Sequence, residues 1–399
     1  MLAFVVGLLG LELFLTSVAV SFTSRDSLIR FAILPVIVLA TYQVMAICAS
    51  GKLASSVARA VLGSGSVYRV IHYVGIVLLD GWTFNAKGPT SSLGGLVPAA
   101  EPSEKTVHWS WGSIGERLRF GIRVSTTTRF STTRWSVRYV PPFDNAKPGF
   151  VPSRSEFLWR RPVQVGVLGC MLSVTGWFAQ KLFREQATMF WKRHIPIFSR
   201  IPEVTLAELG IRVVGVLAYW TMQYLSLSFL YGFLSVVMVA IGLSDVEEWP
   251  PVFGPLGEAW SIAQFWGCFY HQNIRRGCSG IAHFLTYHCL RLSENSMVGR
   301  YTFITCVFAI SGVFHLLSDL ARGIPKYESN AMHFFLVQPL GICLERIVQS
   351  LYSRLAPSKT DSSKLRASPN RFGCLVGYGW VLFWIVWTSP VWIFTSMKA

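Results

Sequence analysis

One histidine lies inside a long apolar segment in the last third of the chain, where the run CVFAISGVFHLLSDL carries His315. Ionisable side chains are costly in apolar helices that cross membranes, so His315 is a functional candidate by default. Ser311 and Asp319 lie one helical turn before and after it, on the same face. Asp319 would fix the imidazole tautomer and raise its basicity. The spacing therefore predicts a general base, His315, with Asp319 as its partner, and we expect Gly312 to leave room for a substrate.

A second chemically rich segment runs from Asp245 to Leu292, and it is too polar to span a membrane and too aromatic to be a solvated linker. Ser261 begins a capping-box pattern, which predicts the start of a helix. We expect this helix to continue through His271 and to end at Arg275 and Arg276, where positive charge complements the helix dipole. Charged and imidazole groups at membrane depth are tolerated where they line a protein cavity.

A zinc site in this segment is not predicted. Cys268, His271, Cys278 and His283 invite that interpretation, but their spacing matches no compact site and a helix would disperse the four side chains. We therefore predict no metal.

The composition predicts that the chain lies in a membrane. Of the 399 residues, 52% are hydrophobic and only 14% are charged, against about 25% charged in ordinary soluble domains. The net charge of +16 would suggest nucleic acid as the partner of a soluble protein. In a membrane protein the same excess lies in cytosolic loops and headgroup contacts, so we expect the lipid bilayer as a partner and no nucleic acid.

Apolar runs of roughly 20 residues mark the expected membrane spans. About eight spans are predicted, and the run Val204–Leu243 is interpreted as two spans joined near Ser226. For Val163–Ala179 two alternatives stay open: it is re-entrant, or it crosses and the charge rule fails locally. The remaining predicted spans are Met1–Ser21, Leu28–Ala49, the weaker Val67–Phe84, Val298–Asp319, Asn330–Gln349 and Phe372–Phe394.

Three regions follow from these spans. Residues 1–84 are expected to form N-terminal membrane helices, and residues 163–399 a membrane core. Residues 85–162 form a basic loop, since eleven Lys or Arg face five Asp or Glu between positions 101 and 161. The positive-inside tendency predicts that this loop is cytosolic.

Several runs of the sequence resemble a known family. EWPPVFG, EAWS and FWGCFYHQ, which occupy 248–254, 258–261 and 265–272, look like the signature of the wax-synthase-like branch of membrane-bound O-acyltransferases. Phe308, Ser311, Gly312 and His315 resemble the second motif of that family, and RFSTTRWSVRYVPPF at 129–143 is similar to an upstream segment. The sequence departs from the family pattern in three places. Cys268 and Phe269 stand at positions that are usually basic, Tyr270 stands where Trp is usual, and the Arg-Gly-Ile-Gly core of the upstream segment is reduced to Arg129 followed by Phe, Ser and Thr.

The resemblance implies a fold and a reaction. The fold would be all-α, with about eight transmembrane helices and an amphipathic or re-entrant motif segment around a central tunnel, and 163–399 would be the acyltransferase core. His315 would act as the base and His271 would assist it. Acetyl-CoA or another acyl-CoA would be the co-substrate, with no permanently bound cofactor. Arg275, Arg276, Trp266 and the basic loop before Pro162 would contact that donor.

The resemblance also implies an acceptor and a location. We expect acetylation of a hydroxyl on a lipophilic terpenoid or meroterpenoid alcohol of secondary metabolism, at the endoplasmic reticulum or a related endomembrane. Long-chain wax ester synthesis is the alternative within the family. A membrane transporter is the alternative from another class, although the sequence has neither repeats nor paired broken helices.

Overall fold

The structure is a computed structural model that describes residues 1–53, 55–99, 111–355 and 371–396. It is 72% helical, and no β-strand occurs among these residues, which confirms the all-α prediction. The main helices are α1 Leu2–Phe22, α2 Leu28–Ala49, α3 Ser56–Tyr73, α4 Trp111–Thr126, α5 Arg154–Glu185, α6 Leu206–Ala240, α7 Ile262–Gln264, α8 Arg275–His283, α9 Met297–Arg322, α10 Ala331–Leu355, α11 Arg371–Thr388 and α12 Pro390–Ser396.

Eight helical stretches in the described part of the chain are long and apolar enough to cross a membrane, as predicted. Two details differ. The prediction of two spans in 204–243 is wrong, because α6 is one helix of 35 residues; Ser226 neither caps nor breaks a helix in an apolar run. A re-entrant α5 is also wrong, because this helix is continuous over 32 residues, or about 48 Å.

Among the described residues, three helical stretches end in π-helical turns. The turn Val74–Leu79 continues α3, Phe265–Phe269 continues α7, and Phe284–Cys289 continues α8. A π-helical turn holds an extra residue within a helix, and such turns are frequent at functional sites. Two of the three turns lie within the chemically rich segment defined by the sequence.

The described chain divides into two compact units, and the first comprises Met1–Val137 and Asn273–Phe335. It contains a fully buried arginine, Arg30 of α2. Its guanidinium donates to backbone carbonyls at or just beyond the ends of α1 and of the π-helical turn after α3, over distances of 2.9–3.2 Å. The acceptors are the carbonyl oxygens of Ala19, Thr23, Val77 and Trp82, together with the Thr23 hydroxyl at 2.8 Å.

The first unit also buries a carboxyl group between three predicted spans. Glu12 of α1 is fully buried. Its Oε1 atom accepts hydrogen bonds from Thr41 of α2, at 2.9 Å, and from Ser66 of α3. Polar groups inside a membrane bundle need such partners, because no water satisfies them there. The single charge of the first span therefore ties three helices together.

The second unit comprises Arg138–Gln272 and the described residues from Leu336 onward. In it α5 and α6 run antiparallel, and Arg154 at the start of α5 donates to the last carbonyls of α6, those of Val239 and Ala240. Cationic side chains at a helix C-terminus satisfy free carbonyls and complement the dipole. The long hairpin is thereby closed at one end.

Candidate active site

His315 lies on α9 in the first unit. The helix begins at the Ser296 cap, whose hydroxyl accepts from the Gly299 N–H at 2.9 Å. The His315 imidazole stacks on the Phe335 ring with a centroid distance of 4.6 Å and an angle of 8°, and it meets the Phe314 ring edge-on at 5.1 Å. Two aromatic rings therefore fix the plane of a half-buried imidazole inside a helix that is long enough to cross a membrane.

Asp319 lies one turn further along α9 and is 2% exposed. Its Oδ2 atom accepts from the Ser329 hydroxyl at 2.7 Å, and its Oδ1 atom lies 3.5 Å from the Arg322 guanidinium. These partners hold a buried carboxylate beside the histidine-bearing turn. The partnership between Asp319 and His315 stays a prediction.

The expectation that Gly312 leaves room for a substrate is wrong. A Cβ atom at this position would lie 2.9 Å from the Met332 sulfur and 3.3 Å from the Phe335 Cβ. The space beside Gly312 is therefore filled by residues of α10. The glycine serves to bring α9 and α10 close together, which also brings the Phe335 ring against His315.

In the second unit the predicted cap is confirmed, but the predicted helix is too long. The Ser261 hydroxyl accepts from the Gln264 N–H, as expected. The helical stretch then ends at Phe269, because carbonyls that a longer helix would use are already bound. The Gly254 N–H donates to the Phe269 carbonyl at 2.8 Å, and the Gln272 side chain donates to the Gly267 carbonyl at 3.2 Å.

His271 therefore lies beyond that helix, in chain without regular secondary structure. Its ring is half-buried, 4.7 Å from the Tyr270 ring and 6.0 Å from the Phe253 ring, which it meets at 89°. Burial raises the pKa of the Tyr270 phenol, so this neighbour stays neutral at physiological pH. The His271 imidazole thus lies among aromatic rings, and Tyr270 places no negative charge beside it.

Two polar residues of α10 position the motif segment, and the sequence interpretation missed both. Glu345 accepts from the Ile262 N–H at 2.5 Å and from the Trp380 indole at 3.0 Å. Gln338 accepts from the indoles of Trp266, at 3.2 Å, and Trp384, at 3.1 Å. The available signal was a carboxylate and an amide inside the predicted span 330–349.

We expect removal of the Glu345 carboxylate to loosen the motif segment. Glu345→Ala leaves the N–H groups at the start of α7 and the Trp380 indole without their acceptor. Each buried group left unpaired lowers the free energy of unfolding by about 1–3 kcal/mol. Thermal unfolding in detergent should show a lower Tm, with reduced activity. Glu345→Gln retains one acceptor oxygen and should fall between Ala and wild type. A Tm of Glu345→Ala equal to wild type would contradict this role.

The two candidate arginines begin α8 in the first unit. Arg276 forms a buried ion pair with Asp80 at 2.7 Å and donates to the Trp135 carbonyl at 3.1 Å. Its guanidinium also lies 4.7 Å from the Phe130 ring centroid. Arg275 is half-buried. The prediction that this pair ends a helix is wrong, because Arg275 is the first residue of α8.

The candidate residues are thus divided between the units. His315, Asp319, Arg275 and Arg276 belong to the first unit, whereas His271 and Trp266 belong to the second.

Eight helical stretches of the described residues are long and apolar enough to cross a membrane, and one of them carries His315, as in an integral membrane protein with an ionisable group at membrane depth. The model of the membrane bound O-acyl transferase family matches residues 249–337, a range that contains both His271 and His315. The chain is 39% identical to acetyltransferase fsoF of Humicola fuscoatra, over 98% of this chain and 96% of that protein. It is 32% identical to acetyltransferase aurG of Calcarisporium arbuscula, over 95% and 89%.

The chain therefore belongs to the membrane bound O-acyl transferase family and is an acyltransferase. Membership of an enzyme family removes the transporter alternative. No solved structure matches the chain.

Proposed function

We propose that this protein transfers an acetyl group from acetyl-CoA to a hydroxyl of a lipophilic terpenoid or meroterpenoid alcohol in secondary metabolism. The observation that carries the proposal is His315, an imidazole held between two aromatic rings inside a membrane-spanning helix. The names of the relatives support acetyl as the transferred group. An apolar acceptor is consistent with a catalytic group at membrane depth.

In the proposed reaction His315 removes the proton of the acceptor hydroxyl as its oxygen attacks the thioester carbonyl. An alcohol is a poor nucleophile at neutral pH, so a positioned base is needed. The new C–O bond forms, the C–S bond breaks, and the departing CoA thiolate takes up the proton from His315. Asp319, one turn away, is proposed to orient the imidazole and to stabilise its protonated form.

We assign two further roles by proposal. His271 donates a hydrogen bond to the oxyanion that develops on the carbonyl, or orients the acceptor. Arg275 and the basic segment before Pro162 bind the phosphates of the donor. Arg276 is not included, because the Asp80 carboxylate already neutralises its guanidinium in a buried ion pair.

The test is expression in a host that lacks such enzymes, followed by incubation of microsomes with acetyl-CoA and a panel of terpenoid alcohols. Mass spectrometry should detect one added acetyl group on at least one alcohol, and none in membranes from an empty-vector host. Esters formed only from long-chain acyl-CoA and long-chain alcohols would overturn acetylation and favour wax ester synthesis.

The same membranes test two remaining proposals. We propose residence in the endoplasmic reticulum or a related endomembrane, with the basic segment 85–162 on the cytosolic side. Protease added to sealed microsomes should cleave within this segment. Protection of the segment until detergent is added would contradict the orientation.

A further inference from the structure

The second unit contains a cavity of about 150 Å³ between α5, α6 and residues 251–253. We call it the α5–α6 cavity. It lies between two close approaches of these helices: a Cβ atom at Gly232 would lie 2.9 Å from Val165, and one at Gly169 would lie 3.2 Å from Phe229. One turn before Gly232 on α6, the short side chain of Ser228 leaves space that a larger residue would fill. The walls used below are Arg161, Gln164, Leu168, Tyr224, Ser228 and Phe253.

The cavity is polar at one end and apolar at the other. Residues 162–180 of α5 carry no charge over 19 positions, which is about 28 Å of helix and close to the hydrocarbon thickness of a bilayer. Arg161 therefore lies at the membrane surface, where it donates to the Gln164 side chain at 3.3 Å. Leu168 lies seven residues on, about 10 Å deeper.

One wall of the cavity is shared with the surround of His271. The Phe253 ring lines the cavity and lies 6.0 Å from the His271 ring. Tyr224, another wall residue, lies 4.4 Å from the Phe253 ring. Gly254 makes this arrangement possible, because a Cβ atom there would lie 2.1 Å from the Cys268 carbonyl oxygen. A ligand in the cavity therefore lies one aromatic ring away from His271.

We propose that the α5–α6 cavity binds a section of the phosphopantetheine arm of the acyl-CoA donor, with its phosphate at Arg161. This inference rests on the proposed function, in which acyl-CoA is the donor, and adds where a part of that donor binds. The volume equals about five water molecules at roughly 30 Å³ each, too little for a polycyclic alcohol but enough for a section of a narrow chain. Guanidinium, amide and hydroxyl groups suit a phosphate and amides, and Leu168 and Phe253 suit methylene groups.

The test measures equilibrium binding to the purified full-length protein in nanodiscs, without an acceptor. The probes are CoA, 4′-phosphopantetheine and pantetheine, which lacks the phosphate. We expect Arg161→Met to raise the Kd of CoA and phosphopantetheine at least tenfold and to leave that of pantetheine within twofold. Ser228→Trp fills the cavity and should weaken all three.

Two matched controls separate the site from general damage to the hairpin. Lys181→Met removes a charge from the far end of α5, where the lysine is half-exposed and pairs with Glu185. Leu230→Trp adds the same ring to α6 at a position that is 40% exposed and outside the cavity. Both controls should leave every Kd within twofold of wild type.

The outcomes distinguish this inference from the proposed function. Binding of CoA that depends on Arg161 and Ser228, without acetyl transfer to any alcohol, would leave the cavity assignment standing and overturn the function. If the protein transfers acetyl but neither substitution changes its affinity for CoA, the proposed function stands and the cavity assignment is wrong. If native mass spectrometry finds that Arg161→Met loses a co-purified phospholipid while its affinity for CoA is unchanged, the cavity is a lipid site and the proposal is wrong.

Discussion

Replacing His315 with Phe should reduce acetyl transfer by about 10²–10⁴-fold, which is the usual contribution of a positioned general base. Phe keeps an aromatic ring of similar shape against Phe335, so the stacked pair survives. It has no nitrogen to accept the proton of the acceptor hydroxyl. The loss should appear in kcat, with the Kd of CoA within twofold of wild type, because binding of the donor needs no proton transfer.

His288→Phe is the matched control. His288 is exposed on the π-helical turn after α8, outside the proposed catalytic and binding residues, and its ring lies 6.0 Å from that of Phe284. Its activity should stay within twofold of wild type. If His315→Phe kept more than a tenth of the wild-type kcat, His315 would not be the base, and another group in the chain would have to take the proton.

Replacing Arg30 with Met should destabilise the first unit by about 3–5 kcal/mol, since it removes several charge-assisted hydrogen bonds and leaves buried carbonyls without a donor. Met matches the unbranched stem of arginine and fills most of its volume. At about 2–4 °C for each kcal/mol in a domain of this size, Tm in detergent should fall by roughly 10 °C.

The comparison variants are Arg25→Met and Arg30→Lys. Arg25 is half-exposed, pairs with the exposed Asp26, and donates to a single carbonyl, so its loss should shift Tm by less than 2 °C. Lys supplies a charge but not the planar fork of five donors, and it should recover only part of the loss. A Tm for Arg30→Met within 2 °C of wild type would show that the carbonyls find other donors.

The membrane helices can be predicted from the sequence, because span length and apolar composition are local properties. The Ser261 cap can be predicted too, because it depends on a residue only three positions away. The end of the motif helix at Phe269 cannot be predicted in this way, because it depends on the Gly254 N–H, which belongs to a different element. The sequence therefore predicts a helix that is too long, because the group that ends it is distant in the chain.

The candidate site shows the same division. His315 stands out in the sequence because it is an imidazole in an apolar run. Glu345 and Gln338 lie in a predicted span as well, but nothing local indicates that they accept hydrogen bonds from residues about 80 positions earlier. Arg30 gives no local signal either, because its acceptors come from the ends of two other helices. Long-range polar contacts in a membrane bundle are set by packing, and periodicity does not encode them.

The π-helical turn Phe265–Phe269 has a consequence for insertions and deletions. An α-helix turns about 100° per residue, and the π-helical turn absorbs one residue that the α-helical register would not hold. Deleting one residue there restores α-helical spacing, but it swings everything that follows, His271 first, by about 100° around the helix axis. We therefore expect this stretch to tolerate substitutions far better than insertions or deletions. Related chains should keep the number of residues here even where the residues themselves differ.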